Sequence, residues 1–445
     1  MRIISFITKK LKFTGNKEKV AINVSWAVLG KVVNILSSLF IGILVARYLG
    51  PEDFGLMSYV MSYVAIFQVL ATFGLENIEI RELAKEDSDV PKIMGTSFII
   101  RMILAFTTII AIFVTLIIFK TDQQTKTLVL IFSTTLIFST TKIIRNYFTS
   151  IVQNEYVVKT EISRTIIGAT IKILLLSINA PLIYFIMASS FDLFLVATGF
   201  IISFNKKIGL KLPWKFDKWY AIYLIKQSFP LLLSASAVVI YQKIDQVMIK
   251  QMMDNVSVGQ YSVASRIIEI GIFIPVIVSQ TIAPLLVKKL HKCKDAYIKK
   301  RQQYMSIIVW GGILISLIIF ILSKPAVTIL FGSQYLDAIP VLKILSWKVA
   351  LMGLFNFSAQ IIIIEGIHKF VAVRNIFACF TSVLLNYFLI PHYGIIGSSI
   401  ASISAFFISG YLAHLFIPGY RFIFYIQTKS LAVGWKQFFN IKSLK

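Results

Sequence analysis

IMGTSFIIRMILAFTTIIAIFVTLIIF, residues 93–119, is an unbroken apolar run of 27 residues with one charge, Arg101. A hydrocarbon core of about 30 Å needs roughly 20 apolar residues of α-helix to cross it, so this stretch is long enough to span a bilayer. Eleven further stretches pass the same length test, near 22–47, 55–75, 127–149, 163–180, 182–204, 227–249, 260–287, 304–323, 339–363, 371–390 and 396–417. The pair at 163–180 and 182–204 is the least sharply divided, because only Asn179-Ala180-Pro181 separates them.

Composition agrees. The chain of 445 residues is 57% hydrophobic and 15% charged, with a mean hydropathy of +0.80. Soluble domains carry about 25% charged residues, so these charges are too few to cover a soluble surface. The fold class expected is an all-α integral membrane protein of about twelve transmembrane helices.

The net charge of +25 would suggest nucleic acid in a soluble protein. Here Lys and Arg sit in short tracts between the apolar runs, as the positive-inside rule requires of cytoplasmic loops. With the N-terminus inside, alternate connections hold 32 of the 45 basic residues, while the opposite connections hold only Lys120, Lys126, Lys250 and Lys324. Both termini are therefore expected in the cytoplasm, and no nucleic-acid partner is expected.

The organisation that follows is a basic cytoplasmic tail at 1–21, a six-helix half at 22–204, a cytoplasmic linker at 205–226, a second six-helix half at 227–417 and a cytoplasmic tail at 418–445. Residues 3–13 form either a short amphipathic helix on the membrane surface or a disordered basic tail. The halves share a weak likeness: each first span leads into an outer turn ending in a glycine, Gly55 and Gly259, that opens the next helix. Six spans per half give both halves the same topology, so parallel repeats around a central cavity are expected. Cys293 and Cys379 fall in a basic loop and an apolar span, so no disulfide is expected. The four histidines are scattered and read as loop or interfacial residues. No P-loop, GxSxG or HExxH motif occurs, and no enzyme activity, cofactor or metal is expected.

Charge inside a bilayer costs roughly 2.5–3.5 kcal/mol per residue on insertion scales, so such groups face protein or water. Several lie within the spans: Lys31, Arg47, Arg101, Lys172, Asp192, Lys243, Asp245, Arg266, Glu269 and Lys348 among them, and of these ten seven are basic and three acidic. Lys31 shares a helical face with Asn23, Asn34 and Ser38. That stripe reads as a cavity wall for an anionic head group, or as a helix contact in which the ammonium meets a carboxylate. Arg266 and Glu269 lie one turn apart, and read as a self-neutralising pair or as an Arg fork for phosphate tuned by Glu269. Asp245, on a face with Tyr241 and Ser234, reads as a Na⁺ or H⁺ site or as a structural partner. Arg101 lines the cavity or snorkels to the interface. Asn375, Cys379, Ser382 and Asn386, spaced 4, 3 and 4, read as helix packing by small and polar residues.

Several segments together resemble the Wzx-type polysaccharide flippases, of the MOP superfamily that also holds the MATE multidrug exporters and the lipid II flippases. They are Ala46-Arg47-Tyr48-Leu49-Gly50-Pro51 with Phe54-Gly55, Ile240-Tyr241-Gln242-Lys243-Ile244-Asp245, Val258-Gly259-Gln260-Tyr261 with Ala264-Ser265-Arg266-Ile267, Leu330-Phe331-Gly332 with Tyr335, and Gly394 to Gly397. The resemblance covers nearly the whole chain. It implies flipping of an undecaprenyl-pyrophosphate-linked oligosaccharide, an O-antigen, lipopolysaccharide, capsule or exopolysaccharide repeat unit, to the outer leaflet of the bacterial inner membrane by alternating access. It also implies that Lys31 and Arg266 line the lumen. On this reading the substrate cavity comprises Lys31, Asn34, Arg101, Arg266 and Glu269, with Asp245 or Glu269 for ion coupling. The partners are the lipid-linked oligosaccharide and membrane lipid, with a polysaccharide polymerase and a chain-length regulator as candidates. A MATE-type exporter of drugs or cations is the first rival, and a membrane polysaccharide polymerase the second.

Overall fold

The computed structural model describes residues 16–208 and 214–439, without the side chains of residues 16–29, 31, 32, 291 and 439. The expected surface helix at 3–13 lies outside the described residues. All regular structure among the described residues is helical. The elements are α1 (Asn16–Thr72), α2 (Leu75–Leu83), α3 (Val90–Ile118), α4 (Gln123–Ser150), α5 (Asn154–Ser177), α6 (Leu182–Ile208) and α7 (Lys218–Met252). There follow α8 (Asn255–Lys292), α9 (Lys294–Ile321), α10 (Ser323–Leu330), α11 (Ala338–Ile364), α12 (His368–Phe416), α13 (Arg421–Val433) and α14 (Trp435–Phe439).

Every expected span falls on one of these helices. Among the described residues nine helices are long and apolar enough to cross a membrane. Two of the nine are double: α1 is two helices joined at Gly50 (φ 72°), and α12 two joined at Gly394 (φ 56°). Both glycines hold a left-handed backbone that other residues adopt only at a cost, and Pro51 starts the second arm of α1, where its missing N–H is harmless. The remaining span is α5, which carries Glu155, Lys159, Glu161, Arg164 and Lys172 and is for that reason the least apolar.

Helix α3 shows which solvent the surface meets. Its exposed residues are large and apolar, Ile103, Phe106, Ile110, Phe113 and Ile117, while Thr96, Ser97, Arg101, Ala105 and Thr108 are buried. A water-soluble helix has the opposite arrangement. Small and polar groups packed inside with aliphatic groups outside are what a lipid solvent selects. The helix starts are capped as expected: the carboxylates of Asp89, Asp122, Asp217 and Asp254 accept from the N–H groups of Lys92, Thr125, Tyr220 and Ser257. Asp217 also pairs with Lys92 at 2.6 Å, and the Lys92 ammonium and Tyr220 N–H hold its carboxyl below the usual carboxylate range.

The chain packs as two compact units. The first comprises residues up to Tyr48 with Tyr63–Ser236, and the second Leu49–Ser62 with Ala237–Lys445. They differ from the expected halves at two places. The changeover falls within α7 rather than at the linker, whose residues 214–217 lie along α3, with Lys215 N–H donating to Pro91 O at 3.1 Å. In addition, the start of the second arm of α1 belongs to the second unit. The reason is a close crossing of two helix starts. A Cβ on Gly55 would stand 1.8 Å from the carbonyl oxygen of Asn255, and one on Gly259 would stand 2.0 Å from that of Pro51. The two glycines that open successive helices in the sequence therefore meet backbone to backbone.

Gly259→Ala is expected to destabilise the protein by about 1–3 kcal/mol, since the obstacle is rigid backbone. The matching control is Gly419→Ala, where an added Cβ meets nothing within 4 Å. Melting in detergent followed by tryptophan fluorescence will separate the two, and equal melting temperatures would remove the crossing as the cause.

The segment 418–445, expected as a tail, is folded over most of its length. Tyr420, Ile423 and Ile426 join a buried cluster with Met305, Ile308 and Val309 of α9 and Phe357 and Ile361 of α11. Trp310 Nε1 donates to Ser430 O at 2.9 Å, and Gln302 Nε2 to Ser430 Oγ at 2.7 Å. Helix α13, at 13 residues, is too short to cross a bilayer. His414 is also a correction: it is fully buried, between Arg374 Nη1 at 3.3 Å and Gln427 Oε1 at 3.0 Å, and is no interfacial residue.

Candidate substrate and ion sites

Each unit holds one cluster of charge inside the helical bundle. In the first unit the charges come from α2, α3, α4 and α5. Arg101 does not snorkel. It is buried and forked onto Glu79, with Nε to Oε1 and Nη2 to Oε2 both at 2.8 Å. Asn146 Nδ2 donates to the same carboxylate at 2.6 Å, and all three side chains are at most 2% exposed. The Arg101 charge is thus matched within its own unit. Lys172 and Asp192, on α5 and α6, likewise pair with each other.

Three further basic residues of this cluster are less completely matched. Arg145 reaches Glu76 at 3.2 Å and Glu161 at 3.8 Å, yet its Nε is buried without a hydrogen-bond partner. Arg164 donates to Asn34 Oδ1 at 3.2 Å, and its Nε too is buried and unpartnered. Lys142 lies half-buried one turn before Arg145. Lys142, Arg145 and Arg164 fall at the ends of expected spans, near 127–149 and 163–180. The helices α4 and α5 leave all three half-buried. Asn34 is thereby tied to a basic group of α5. Lys31 lies one turn before it on the same helix, but its side chain is outside the described residues.

In the second unit α7, α8, α11 and α12 converge. Asp245 is 1% exposed and is held by Tyr261 Oη at 2.6 Å and Asn386 Nδ2 at 2.9 Å. Ser398 Oγ donates to Asn386 Oδ1 at 2.7 Å and so orients the amide. Tyr241, expected beside Asp245, instead packs edge-on against Phe406. The polar stripe on the first arm of α12 is buried at Asn375, Ser382 and Asn386, as helix packing requires. Lys348 Nζ donates to Ser402 Oγ at 3.0 Å and lies 4.6 Å over the Phe406 ring. Glu269 meets Lys243 of α7 at 3.7 Å, and Arg266 stands 6.0 Å from the Phe54 ring. Lys243, Gln246, Tyr261, Glu269 and Lys348 share the walls of a pocket of about 50 Å³.

The structure therefore gathers Asp245, Arg266 and Glu269 in one unit and Asn34 and Arg101 in the other. Tyr261, Asn386 and Lys348 join them beyond the residues expected from the sequence. Of these, Lys348 had a usable signal as an intramembrane charge, whereas Tyr261 and Asn386 are uncharged and gain meaning only by contact with Asp245. No group of three or more His, Cys, Asp or Glu side chains suited to a metal occurs among the described residues. The Asp245 carboxylate is met by the Tyr261 hydroxyl and the Asn386 amide nitrogen, and a buried carboxylate takes a proton or a hard cation rather than a transition metal.

A sequence profile of the family described as polysaccharide biosynthesis protein matches residues 20–290, which include both clusters apart from α11 and α12. The chain belongs to that polysaccharide biosynthesis protein family. No curated protein matches it in sequence. Among solved structures it is similar to the lipid II flippase MurJ in an inward closed conformation, with TM-score 0.66 at 15% identity over 93% of this chain and 92% of that one. It is also similar to an inward-facing MATE multidrug resistance transporter of the MOP superfamily, with TM-score 0.63 at 16% identity over 89% and 96%. A third is a MOP superfamily transporter from Pyrococcus furiosus, with TM-score 0.59 at 13% identity over 94% and 97%. At these identities the likeness establishes the fold, which is that of the MOP superfamily. This member of the polysaccharide biosynthesis protein family is a multi-pass membrane protein, and its fold is shared with the lipid II flippase and the MATE transporter to which it is similar.

Proposed function

We propose that the protein flips an undecaprenyl-pyrophosphate-linked oligosaccharide, an O-antigen, capsule or exopolysaccharide repeat unit, from the cytoplasmic to the outer leaflet of the bacterial inner membrane. The observation that carries this reading is the group Lys142, Arg145 and Arg164, half-buried basic side chains of a membrane bundle, of which Arg145 and Arg164 each keep a buried Nε–H without a hydrogen-bond partner. A pyrophosphate head group carries about two negative charges, and moving it bare through hydrocarbon is prohibitive. Buried donors of this kind replace its water, and Arg presents them in the geometry phosphate accepts. Lys31 and Arg266 are further candidate cations from the sequence, the sugar travels in water, and the polyprenyl tail stays in lipid. Alternating access then releases the head group on the far side. Asp245, with Lys348 and Glu269 nearby, is the candidate for coupling to H⁺ or Na⁺.

A MATE-type exporter of cations fits less well. Asp245 already accepts from Tyr261 and Asn386 and Glu269 faces Lys243, so the carboxylates a cationic drug would need are occupied. The test is flipping of a fluorescent undecaprenyl-pyrophosphate oligosaccharide in liposomes that hold the purified protein. Wild type is expected to move it, and Arg164→Ala/Arg266→Ala to move it roughly tenfold more slowly or worse, the equivalent of about 1.4 kcal/mol or more in the barrier. Export of cationic dyes with no lipid flipping would replace this reading with the exporter.

A further inference from the structure

Away from both charge clusters, the second unit has a pocket of about 460 Å³ where α8 ends, α9 begins, α11 ends and α13 starts. Its polar wall is Lys294, Tyr297, Arg301 and Glu365, and Ile298 and Phe422 stand among its apolar walls. We propose that this pocket binds the phosphate head group of an anionic membrane phospholipid.

Arg301 is the centre of the argument. Its guanidinium is sandwiched between two rings, 5.1 Å from the centroid of Tyr297 and 4.9 Å from that of Phe422. Nη1 pairs with Glu365, which also accepts from Tyr297 Oη at 2.7 Å, while Nε is buried with no hydrogen-bond partner. Glu365 therefore offsets one cation and fixes the fork without using all its donors. Lys294, exposed on the rim, leaves the wall with a net positive charge. An anion gains from both groups.

Two features select a lipid over a soluble anion. The stretch 288–301 carries seven basic residues, yet large apolar groups are exposed among and beside them, with Leu285 at 48%, Val287 at 38% and Ile298 at 45%. Exposed aliphatic groups interleaved with lysines are characteristic of the head-group zone of a bilayer. The pocket also continues its cationic wall into Ile298, Ile364 and Leu290, a surface for the first carbons of an acyl chain. Phosphate and glycerol-linked chain thus meet groups of matching chemistry in the order in which a phospholipid presents them.

The test is native mass spectrometry of the purified protein, with dioleoylphosphatidylglycerol and dioleoylphosphatidylcholine offered in equal amounts. Wild type is expected to retain the anionic lipid roughly tenfold better, a difference of about 1.4 kcal/mol. Lys294→Glu is expected to abolish that preference, and Lys292→Glu, an exposed neighbour that does not line the pocket, to leave it intact. Both positions are on the surface, so neither change threatens folding. Equal retention of the two lipids by wild type overturns the proposal. So does equal damage by Lys292→Glu, which would make the effect one of diffuse surface charge. Competition by glycerol 1-phosphate as effective as by the whole lipid would make the pocket a soluble-anion site and overturn the lipid assignment.

Discussion

Glu79→Ala is expected to cost about 3–5 kcal/mol, the usual consequence of leaving a buried ionic partner alone. Arg101 and Glu79 are bound to each other through two bonds of 2.8 Å with neither exposed by more than 2%. Removal of the carboxylate strands a guanidinium, and also the Asn146 amide that donates to it. Arg101→Met alone strands the carboxylate in the same way. The double variant Glu79→Ala/Arg101→Met removes both charges, and is expected to recover most of the loss, because buried pairs often contribute little net stability over an apolar replacement. Melting in detergent of the four proteins forms a complete double-mutant cycle. If the double variant falls by the sum of the singles, the residues act independently and the pair is not what holds α2 to α3. Should it regain stability yet lose flipping, Arg101 would have a part in transport beyond its pairing.

Asp245→Asn is expected to slow flipping roughly tenfold or more, about 1.4 kcal/mol or more in the barrier, and to leave the residual rate insensitive to an imposed H⁺ or Na⁺ gradient. The change keeps size and shape. Tyr261 retains an oxygen to donate to, but the group loses the negative charge that faces Lys348 across α7 and α11. A carboxylate sealed from solvent binds a proton or a hard cation only when its neighbours rearrange, and Ser398, Asn386 and Tyr261 are the donors that set its present state. Flipping in liposomes with each gradient applied in turn is the measurement. An unchanged response to both gradients in the variant would return Asp245 to a structural role. A drop in melting temperature as large as that of Glu79→Ala, with no working protein left, would do the same.

Much of this was legible in the order of the residues. Twelve apolar stretches placed the helices because a lipid solvent penalises every unpaired backbone group, so length and hydropathy nearly dictate helix position. Gly55 and Gly259 were visible as matched turn glycines, although their direct contact was not. The family likeness followed from scattered short motifs that the profile match to residues 20–290 supports. Helix α13 is not legible as a span, because an amphipathic helix that covers part of a bundle has too few apolar residues to cross a bilayer. His414 was misjudged for a related reason: burial of a lone histidine depends on what packs over it, here Arg374 and Gln427 from distant positions.

The sequence alone determined that this is a membrane protein, where its helices run and that basic residues outnumber acidic ones inside them. Those are properties of single segments against a solvent, and periodicity and composition report them directly. Only the tertiary structure decided which of those charges are matched. Arg101 is neutralised by Glu79 from 22 residues away, Asp245 is held by Asn386 from 141 residues away, and Arg164 meets Asn34 across 130. Pairing is a matter of a few ångströms between groups far apart in the chain, so a charge count gives the total but not the partners.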